Sequence, residues 1–356
     1  MKKRYDLRSD TCTLPTEEMR KAIYMAEVGE QGYSEDIDTN RLEEYCAKLF
    51  GKEEGVFMPS GTMSDQVALR CWTKSGDEVI TDESYHINYF QGAQTCDIGK
   101  VILNTCKTKD GIIHVSDIEE RLHSKMHGGT FTNTKLLFLE NTINTHGGNV
   151  VPLDVIREDY EYCKNRGINV HLDGERILNA CVATGKQPME YAKYTDTITM
   201  SFSKGLGAPF GSIIMGDRDT MKKARLYRRW YGGHMHQSGF MAAAALYAVT
   251  HNVERLKEDH KNTRILYNII KKENPDIEIN EPMTNILMIN IKSLNCKAER
   301  FVQICKKSNI LLYPYNEYIV RAIISLNVNK EDVEFCGKVI NKEIAEIKKA
   351  KANKKV

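Results

Sequence analysis

Hydrophobic positions along the chain fall into short runs, separated by longer segments in which apolar residues recur at helical spacing. The short runs predict strands over Glu54–Met58, Glu78–Thr81, Lys100–Leu103, Lys135–Leu139, Ile168–Leu172, Thr197–Phe202 and Ser212–Met215. Helical spacing predicts helices between most of them, for example over Met63–Trp72, Val115–Leu122 and Leu153–Arg166. Because strands that alternate with helices form βαβ units, the pattern predicts an α/β fold with a mostly parallel sheet covered by helices on both faces.

The pattern changes after Phe240, where a long apolar helix, MAAAALYAVTHNVERL, leads into helices rich in Lys and Glu with sparser strands. We therefore expect a domain boundary near residue 250. The predicted division is an N-terminal arm (1–15), a large domain (16–250), a smaller C-terminal α+β domain (251–345) and a basic tail (346–356). The lysines of the tail are typical of a solvated helix end.

Composition and charge exclude several classes of protein. The chain has 356 residues, 41% hydrophobic and 28% charged, as in an ordinary globular protein. Its 50 basic and 48 acidic residues leave a net charge of +2, which gives no reason to expect a nucleic-acid partner. No run approaches 18 consecutive apolar residues, and no apolar run follows the N-terminal MKKRYDLRSD, so we expect neither a membrane span nor a signal peptide. The ten scattered cysteines form no C-x-x-C pair, which favours reduced thiols in the cytoplasm.

Three predicted strand ends carry candidate chemistry, and ligands of open parallel sheets bind beyond the carboxyl ends of the strands. In SFSKGLGAPFGS, Lys204 follows a predicted strand and precedes glycines that force a turn. Asp173 ends another strand, where it could bind a metal, activate water, pair with a cationic ring nitrogen or cap the next helix. Gly61 and Thr62 begin a predicted helix, which indicates a phosphate site or an ordinary N-cap.

The combination of a buried lysine, a carboxylate and an anion site indicates pyridoxal 5′-phosphate. A lysine amine can form a Schiff base with this cofactor. A carboxylate can keep the pyridine nitrogen protonated, so that the ring accepts electrons. A helix N-terminus can bind the phosphate. The spacing agrees with one shared crevice, because Lys204 lies one strand–helix–strand unit after Asp173.

The chain resembles the threonine aldolase / aromatic amino acid beta-eliminating lyase family, whose members have the aspartate aminotransferase-type fold. The resemblance covers most of residues 6–326, in the motifs DLRSDTCTLPTEEMR, MPSGTMSDQVAL, LENT, HLDGERILNA, SKGLGAPFGS and VRAIISLNV. It implies that the large domain binds pyridoxal phosphate. It also implies a homo-oligomer, a dimer or tetramer, with the site at a subunit interface.

The resemblance implies roles for individual residues. Lys204, His86 and Asp173 would be catalytic, with His86 stacked on the cofactor ring. The other expected cofactor contacts are Gly61, Thr62, Arg176, Ser203 and His236. The expected substrate contacts are Ser9, Arg176, Arg321 and His146.

Three positions depart from the family pattern. The family usually has a histidine directly after LENT, where this chain has Ile143, and His146 is the nearest substitute. His236 stands where the family commonly has an arginine that reaches a neighbouring subunit's phosphate. Glu175 stands where a small residue is common. No metal is expected, because His234 and His236 have no third ligand at helical spacing.

The resemblance implies an aldolase that cleaves the Cα–Cβ bond of threonine-like β-hydroxy-α-amino acids to glycine and an aldehyde. The alternative is a beta-eliminating lyase or racemase that acts on serine- or cysteine-type amino acids, which the change at Ile143 keeps open. A remote alternative is a nucleotide-binding protein without enzyme activity that uses GLGAPFG as its loop, although this loop does not open a helix. The expected partner is a small amino-acid substrate, with no nucleic acid and no membrane.

Overall fold

The computed structural model describes residues 3–123 and 132–353, and its strands form three sheets. The strands are β1 (Tyr5–Asp6), β2 (Glu54–Met58), β3 (Glu78–Asp82), β4 (Ile102–Cys106), β5 (Thr134–Glu140), β6 (Asn169–Asp173), β7 (Thr197–Ser201), β8 (Ser212–Gly216), β9 (Glu278–Ile279), β10 (Ile286–Asn290), β11 (Ile310–Leu311), β12 (Tyr313–Pro314) and β13 (Ile319–Ile323).

The α-helices of the described residues are α1 (Glu17–Tyr24), α2 (Ile37–Phe50), α3 (Gly61–Trp72), α4 (His86–Tyr89), α5 (Gly92–Gln94), α6 (Val115–His123), α7 (Leu153–Lys164), α8 (Ile177–Thr184), α9 (Pro188–Ala192), α10 (Arg218–Trp230), α11 (Gly239–His251), α12 (Leu256–Glu273), α13 (Ala298–Lys306) and α14 (Lys330–Ala352). Short 3₁₀ turns span Asp10–Cys12, Gln31–Tyr33 and Lys292–Leu294, and a π turn spans Thr95–Gly99. Across these helices, none combines the length and the apolar character that crossing a lipid bilayer requires.

The large sheet has seven strands in the order β2–β8–β7–β6–β5–β3–β4 over the described residues. Strand β8 runs antiparallel to both β7 and β2, and the other neighbouring pairs are parallel. The predicted mostly parallel sheet is therefore confirmed. Strand β8 is antiparallel because the short segment after β7, which contains Lys204, returns the chain directly beside the strand it has just left.

Both faces of this sheet are covered, as the alternation of side chains along β2 shows. Phe57 packs into one buried cluster with residues of α2, whereas Val56 and Met58 pack into another with residues of α3 and α10. Successive side chains of a strand point to opposite faces, so two separate clusters require helices on both sides.

The C-terminal part of the chain forms a four-stranded antiparallel sheet, β12–β13–β10–β9, and has its own buried cluster. This cluster includes Leu7, because β1 pairs in parallel with β11. The division into arm, large domain, small domain and tail stays a prediction. Of the predicted tail (346–356), residues up to 352 continue α14, and residues 354–356 lie outside the described part of the chain.

The predicted elements agree with the structure except at some ends. The strand predicted at Lys100–Leu103 was placed too early, since Lys100 has a positive φ of 55° and the strand begins at Ile102. Helix α3 begins two residues before the predicted Met63 because the side chain of Ser60 caps it, accepting a hydrogen bond from the backbone N–H of Met63. Helix α7 ends at Lys164, two residues before the predicted end.

Replacing Gly211 with alanine should destabilise the protein through both backbone strain and a clash. Gly211 has a φ of 99°, and an added Cβ would overlap the ring of buried Phe57. We expect Gly211→Ala to lower the free energy of unfolding in urea by about 3 kcal/mol. The matched control is Gly167→Ala, where φ is 69° but nothing surrounds the added Cβ, with an expected loss of about 1 kcal/mol. Equal losses would show that Phe57 moves aside without cost.

Candidate active site

The candidate site lies where parallel strands of the large sheet end. Glu140 and Asp173 end the neighbouring strands β5 and β6 and lie opposite each other in register. The segment after β7 carries Lys204, the segment after β3 carries His86, and α3 follows β2. Because parallel strands have their carboxyl ends at the same edge of a sheet, the segments that carry these side chains all begin at that edge.

The loop that carries Lys204 is held at its base by backbone hydrogen bonds. The N–H of Phe202 donates to the carbonyl of Gly211, and the N–H of Ala208 donates to the carbonyl of Phe202, both at 3.0 Å. The side chain of Lys204 is 17% exposed, and its Nζ donates to Oε2 of Glu175 at 3.2 Å. The neighbouring Ser203 donates its backbone N–H to Oγ of Ser201. The lysine is therefore held on a braced turn, with its amine directed toward the strand ends.

The N-terminus of α3 holds a carboxylate of the chain itself. Glu175 lies so close to Gly61 that an added Cβ would overlap its carboxylate, and Oε1 of Glu175 accepts a hydrogen bond from Oγ of Ser212 at 2.7 Å. As the first residues of α3, Gly61 and Thr62 have backbone N–H groups without an acceptor inside the helix. This helix end is therefore a place where negative charge is stabilised.

Asp173 is a buried carboxyl group that lacks a cationic partner in direct contact. It is 2% exposed, and its Oδ1 accepts the backbone N–H of Glu175 at 3.1 Å. Burial, aided by the charges of Glu140 and Glu175, raises the pKa of Asp173 to about 8. A cation beside this carboxyl group would favour its ionised form, which makes Asp173 a suitable partner for a protonated ring nitrogen.

His86 is a neutral imidazole that a chain of hydrogen bonds orients. Burial, followed by the charge of Lys204, lowers the pKa of His86 to about 4. The side-chain amide of Gln91 donates to Nδ1 of His86 at 2.8 Å and to Asp65 at 2.6 Å. Since Nδ1 accepts, the proton of the neutral ring is on Nε2. A ring nitrogen of His86 lies within 4.8 Å of a carboxylate oxygen of Asp65 and of a carboxylate oxygen of Asp173.

Arg176 forms an ion pair with Asp10, which lies in the N-terminal segment. Its Nε and Nη2 donate to the two carboxylate oxygens of Asp10, each at 2.7 Å, and both residues are buried. Burial alone would raise the pKa of Asp10, but the charges of Arg176, Lys204 and Arg321 hold it at about 2. Arg176 thus lies in the site, with two of its donors already satisfied by the chain.

Arg321 reaches the site from the smaller sheet and keeps one buried donor free. Its Nη1 donates to Oδ1 of Asn144 at 3.1 Å and its Nη2 to the carbonyl of Arg8 at 3.3 Å. No partner is described for its buried Nε, and its guanidinium lies 4.8 Å from the ring centre of Tyr313. Ser9, the residue after Arg8, caps the turn Asp10–Cys12 by accepting from the N–H of Thr11 at 3.2 Å.

The segment after LENT directs Asn144 into the site. Asn144 contacts Arg321, and its backbone N–H donates to Glu140 at 2.8 Å. Ile143 is completely buried, and His146 packs with it against Gly111. These contacts do not join His146 to Lys204 or Arg321, and its role in substrate binding stays a prediction.

His236 lies apart from this group of side chains. It is exposed, and its Nδ1 is 2.8 Å from Oε2 of Glu30, while Nε2 of His234 is 3.7 Å from Oε1 of the same carboxylate. Glu30 thus joins the two histidines as a third possible metal ligand that helical spacing did not predict, because it is distant in sequence. The contact of His236 with the cofactor also stays a prediction.

Sequence reasoning missed four residues that organise the site: Asp10, Gln91, Glu140 and Asn144. Asp10 and Glu140 lie inside the motifs DLRSDTCTLPTEEMR and LENT, so the signal was present but no role was assigned. Gln91 and Asn144 act through side-chain hydrogen bonds to His86 and Arg321 that no local pattern predicts.

Comparisons with known proteins agree with this fold and identify the family. A low specificity L-threonine aldolase of Escherichia coli (strain K12) is 36% identical over 329 residues, which cover 92% of this chain and 96% of that protein. Low-specificity L-threonine aldolase 1 of Arabidopsis thaliana is 33% identical over 335 residues, 93% of each chain. The solved structure of Leishmania major threonine aldolase matches with a TM-score of 0.78 at 19% identity, over 96% of this chain and 99% of that one, which shows the shared fold. Because the family model described as "Beta-eliminating lyase" also matches residues 6–293, the chain belongs to the beta-eliminating lyase family.

Proposed function

We propose that the protein is a pyridoxal-phosphate-dependent aldolase that cleaves the Cα–Cβ bond of threonine-like β-hydroxy-α-amino acids, releasing glycine and an aldehyde. The observation that carries this proposal is the placement of Lys204 and the buried carboxyl group of Asp173 at the carboxyl ends of parallel strands, where the charge of Lys204 acts on Asp173. The threonine aldolases at 33–36% identity, which span nearly the whole chain, support the bond that is cleaved.

The donor set fits pyridoxal phosphate on three observations. Asp173 is buried with a pKa of about 8, so a protonated ring nitrogen would supply the charge it lacks. The carboxylate of Glu175 at the start of α3 is a stand-in anion for the phosphate. Nζ of Lys204 donates to the Glu175 carboxylate, and the charge of Lys204 acts on Asp173. When bound, the cofactor supplies a cationic ring that accepts the electrons of the broken bond.

The chain's own residues would bind and orient the substrate. Arg321 is the proposed carboxylate-binding residue, because its buried Nε is free and Asn144 and Arg8 hold the rest of its guanidinium in place. The other proposed substrate contacts are Ser9, Arg176 and His146. When the carboxylate is held, rotation about the bond between the amino nitrogen and Cα is restricted. Orientation of this kind contributes much of the rate acceleration in enzymes.

His86 and Lys204 would both contact the cofactor. Neutral His86, whose ring Gln91 orients, would stack on the cofactor ring without adding positive charge. Lys204 would attach the cofactor through Nζ, and Gly61, Thr62, Ser203 and His236 are the proposed further contacts. The ion pair of Lys204 with Glu175 keeps the amine within the site.

We further propose a cytoplasmic homo-oligomer. All ten cysteines are free thiols, which supports a reducing compartment. Leu14, Tyr24, Met25, Tyr33 and Trp230 are each more than half exposed, and large exposed apolar side chains support a protein interface.

A product assay should separate cleavage from the alternative reaction. With L-threonine and L-allo-threonine, the purified enzyme should release glycine and acetaldehyde in equal amounts, and Lys204→Ala should lose both this activity and the visible absorption of bound cofactor. Release of pyruvate and ammonia from serine, without glycine from threonine, would favour the beta-eliminating alternative. Racemisation alone would favour the racemase.

Asp173→Asn should retain cofactor but lower kcat by about a thousandfold. The amide preserves shape and removes a charge next to the ring nitrogen, an interaction of about 4 kcal/mol at 4 Å in a protein. The matched control is Asp159→Asn, since burial raises the pKa of Asp159 to about 8 as well and this carboxyl group lies on α7. Its kcat should change less than about tenfold. Equal losses in the two variants would show that packing, not charge, explains the effect.

Arg321→Lys should raise KM by about tenfold or more with a smaller change in kcat. A lysine ammonium cannot reproduce the planar donor set of the guanidinium, so at least one charged hydrogen bond to the substrate is lost. Arg8→Lys serves as the control, because the side chain of Arg8 pairs with Asp6 at 2.6 Å. An unchanged KM in Arg321→Lys for every amino acid would place the substrate carboxylate elsewhere.

A further inference from the structure

The carboxylate of Glu175 lies among the groups that would bind the cofactor phosphate. Its Oε1 accepts from Oγ of Ser212 at 2.7 Å, and its Oε2 accepts from Nζ of Lys204 at 3.2 Å. The side chain is only 10% exposed, and a Cβ on Gly61 would overlap its carboxylate. Glu175 therefore fills the space at the start of α3, and does not merely face it.

The charges and dipoles around the start of α3 favour the binding of a single anion. Helix α3 is 12 residues long, and the first N–H groups of such a helix attract negative charge. Nζ of Lys204 donates a hydrogen bond to the carboxylate of Glu175. A phosphate at the start of α3 would compete with the Glu175 carboxylate for the hydroxyl of Ser212, for Nζ of Lys204 and for the space against Gly61.

We propose that Glu175 is an internal competitor for the cofactor phosphate, which occupies the anion site in the cofactor-free protein and must leave it when pyridoxal phosphate binds. The identity of the incoming anion rests on the function proposed above. The competition itself rests on the contacts of Glu175 with Gly61, Lys204 and Ser212.

The same ion pair restrains the lysine. Nζ of Lys204 donates to Oε2 of Glu175, and this hydrogen bond ties the amine to the carboxylate. Lys204 must therefore lose Glu175 before it can attach the cofactor. Removing the charge of Glu175 should both strengthen cofactor binding and accelerate the appearance of visible absorption.

The experiment compares the full-length wild type with Glu175→Ala and Glu175→Gln after removal of cofactor. The first measurement is the Tm of each protein with and without inorganic phosphate, which needs no activity and no cofactor. The second is the Kd for pyridoxal phosphate and the rate of attachment, both followed by visible absorption. Glu281→Gln is the matched control, because Glu281 is an exposed glutamate that pairs with Arg264 outside the site. Glu175→Gln is isosteric, and it keeps the test valid if the alanine variant folds poorly.

Both variants should bind pyridoxal phosphate about tenfold more tightly than the wild type. Phosphate should raise the Tm of the variants by about 2 °C, with a smaller rise in the wild type and in Glu281→Gln. Equal phosphate responses and equal Kd values in wild type and variants would overturn the proposal. Weaker cofactor binding in the variants would overturn it as well, because Glu175 would then help to hold the cofactor.

Different results would contradict the proposed aldolase function and the proposed role of Glu175. If none of the proteins develops visible absorption with pyridoxal phosphate, the proposed aldolase function is wrong. The phosphate-dependent Tm still decides whether Glu175 occupies an anion site.

Discussion

The buried ion pair between Asp10 and Arg176 is the interaction on which the site depends. It joins the N-terminal segment to the turn that follows β6, and thus fixes Asp10 next to the residues that carry the chemistry. The amide of Asn285, just before β10, also approaches Asp10, at 3.5 Å. Loss of one partner would leave an uncompensated charge in a dry environment, at a cost of about 3–5 kcal/mol. Three distant parts of the chain are therefore held together at one carboxylate.

The balance of charge in the site explains why a cofactor with both a cationic ring and an anionic group suits it. Burial raises the pKa of Glu140 and Asp173, and hydrogen bonds from backbone N–H groups only partly offset this effect. Nearby, Arg176, Lys204 and Arg321 all lower the pKa of Asp10, and burial and then the charge of Arg176 lower the pKa of Arg321. Acidic and basic groups thus lie close together at the strand ends, where Asp10 pairs with Arg176 and Glu175 pairs with Lys204.

Hydrophobic spacing and turn residues predicted those features of the fold that depend on residues close together in the sequence. The strand ends and the helix after Ser60 follow from alternation, helical spacing and turn residues, so Lys204 and Asp173 could be placed on one edge before any coordinates were known. The start of β4 was misplaced because apolar residues alone do not reveal the left-handed conformation of Lys100. Asp10 pairs with a residue 166 positions away, and the direction taken by the Glu175 carboxylate depends on its neighbours in space. Such contacts arise only when the chain has folded.

The parallel pairing of β1 with β11 has a consequence for how the protein is made. Tyr5 and Asp6 are synthesised long before their partners, Ile310 and Leu311, which follow some three hundred residues later. Domains generally begin to fold as they emerge, so the large sheet can form while β1 still lacks its partner. Asp10 lies four residues beyond β1, and its final position depends on that pairing. Completion of the site is therefore a late event in synthesis, and a nascent chain arrested before residue 310 would carry the lysine and the strand ends without a properly anchored N-terminal segment.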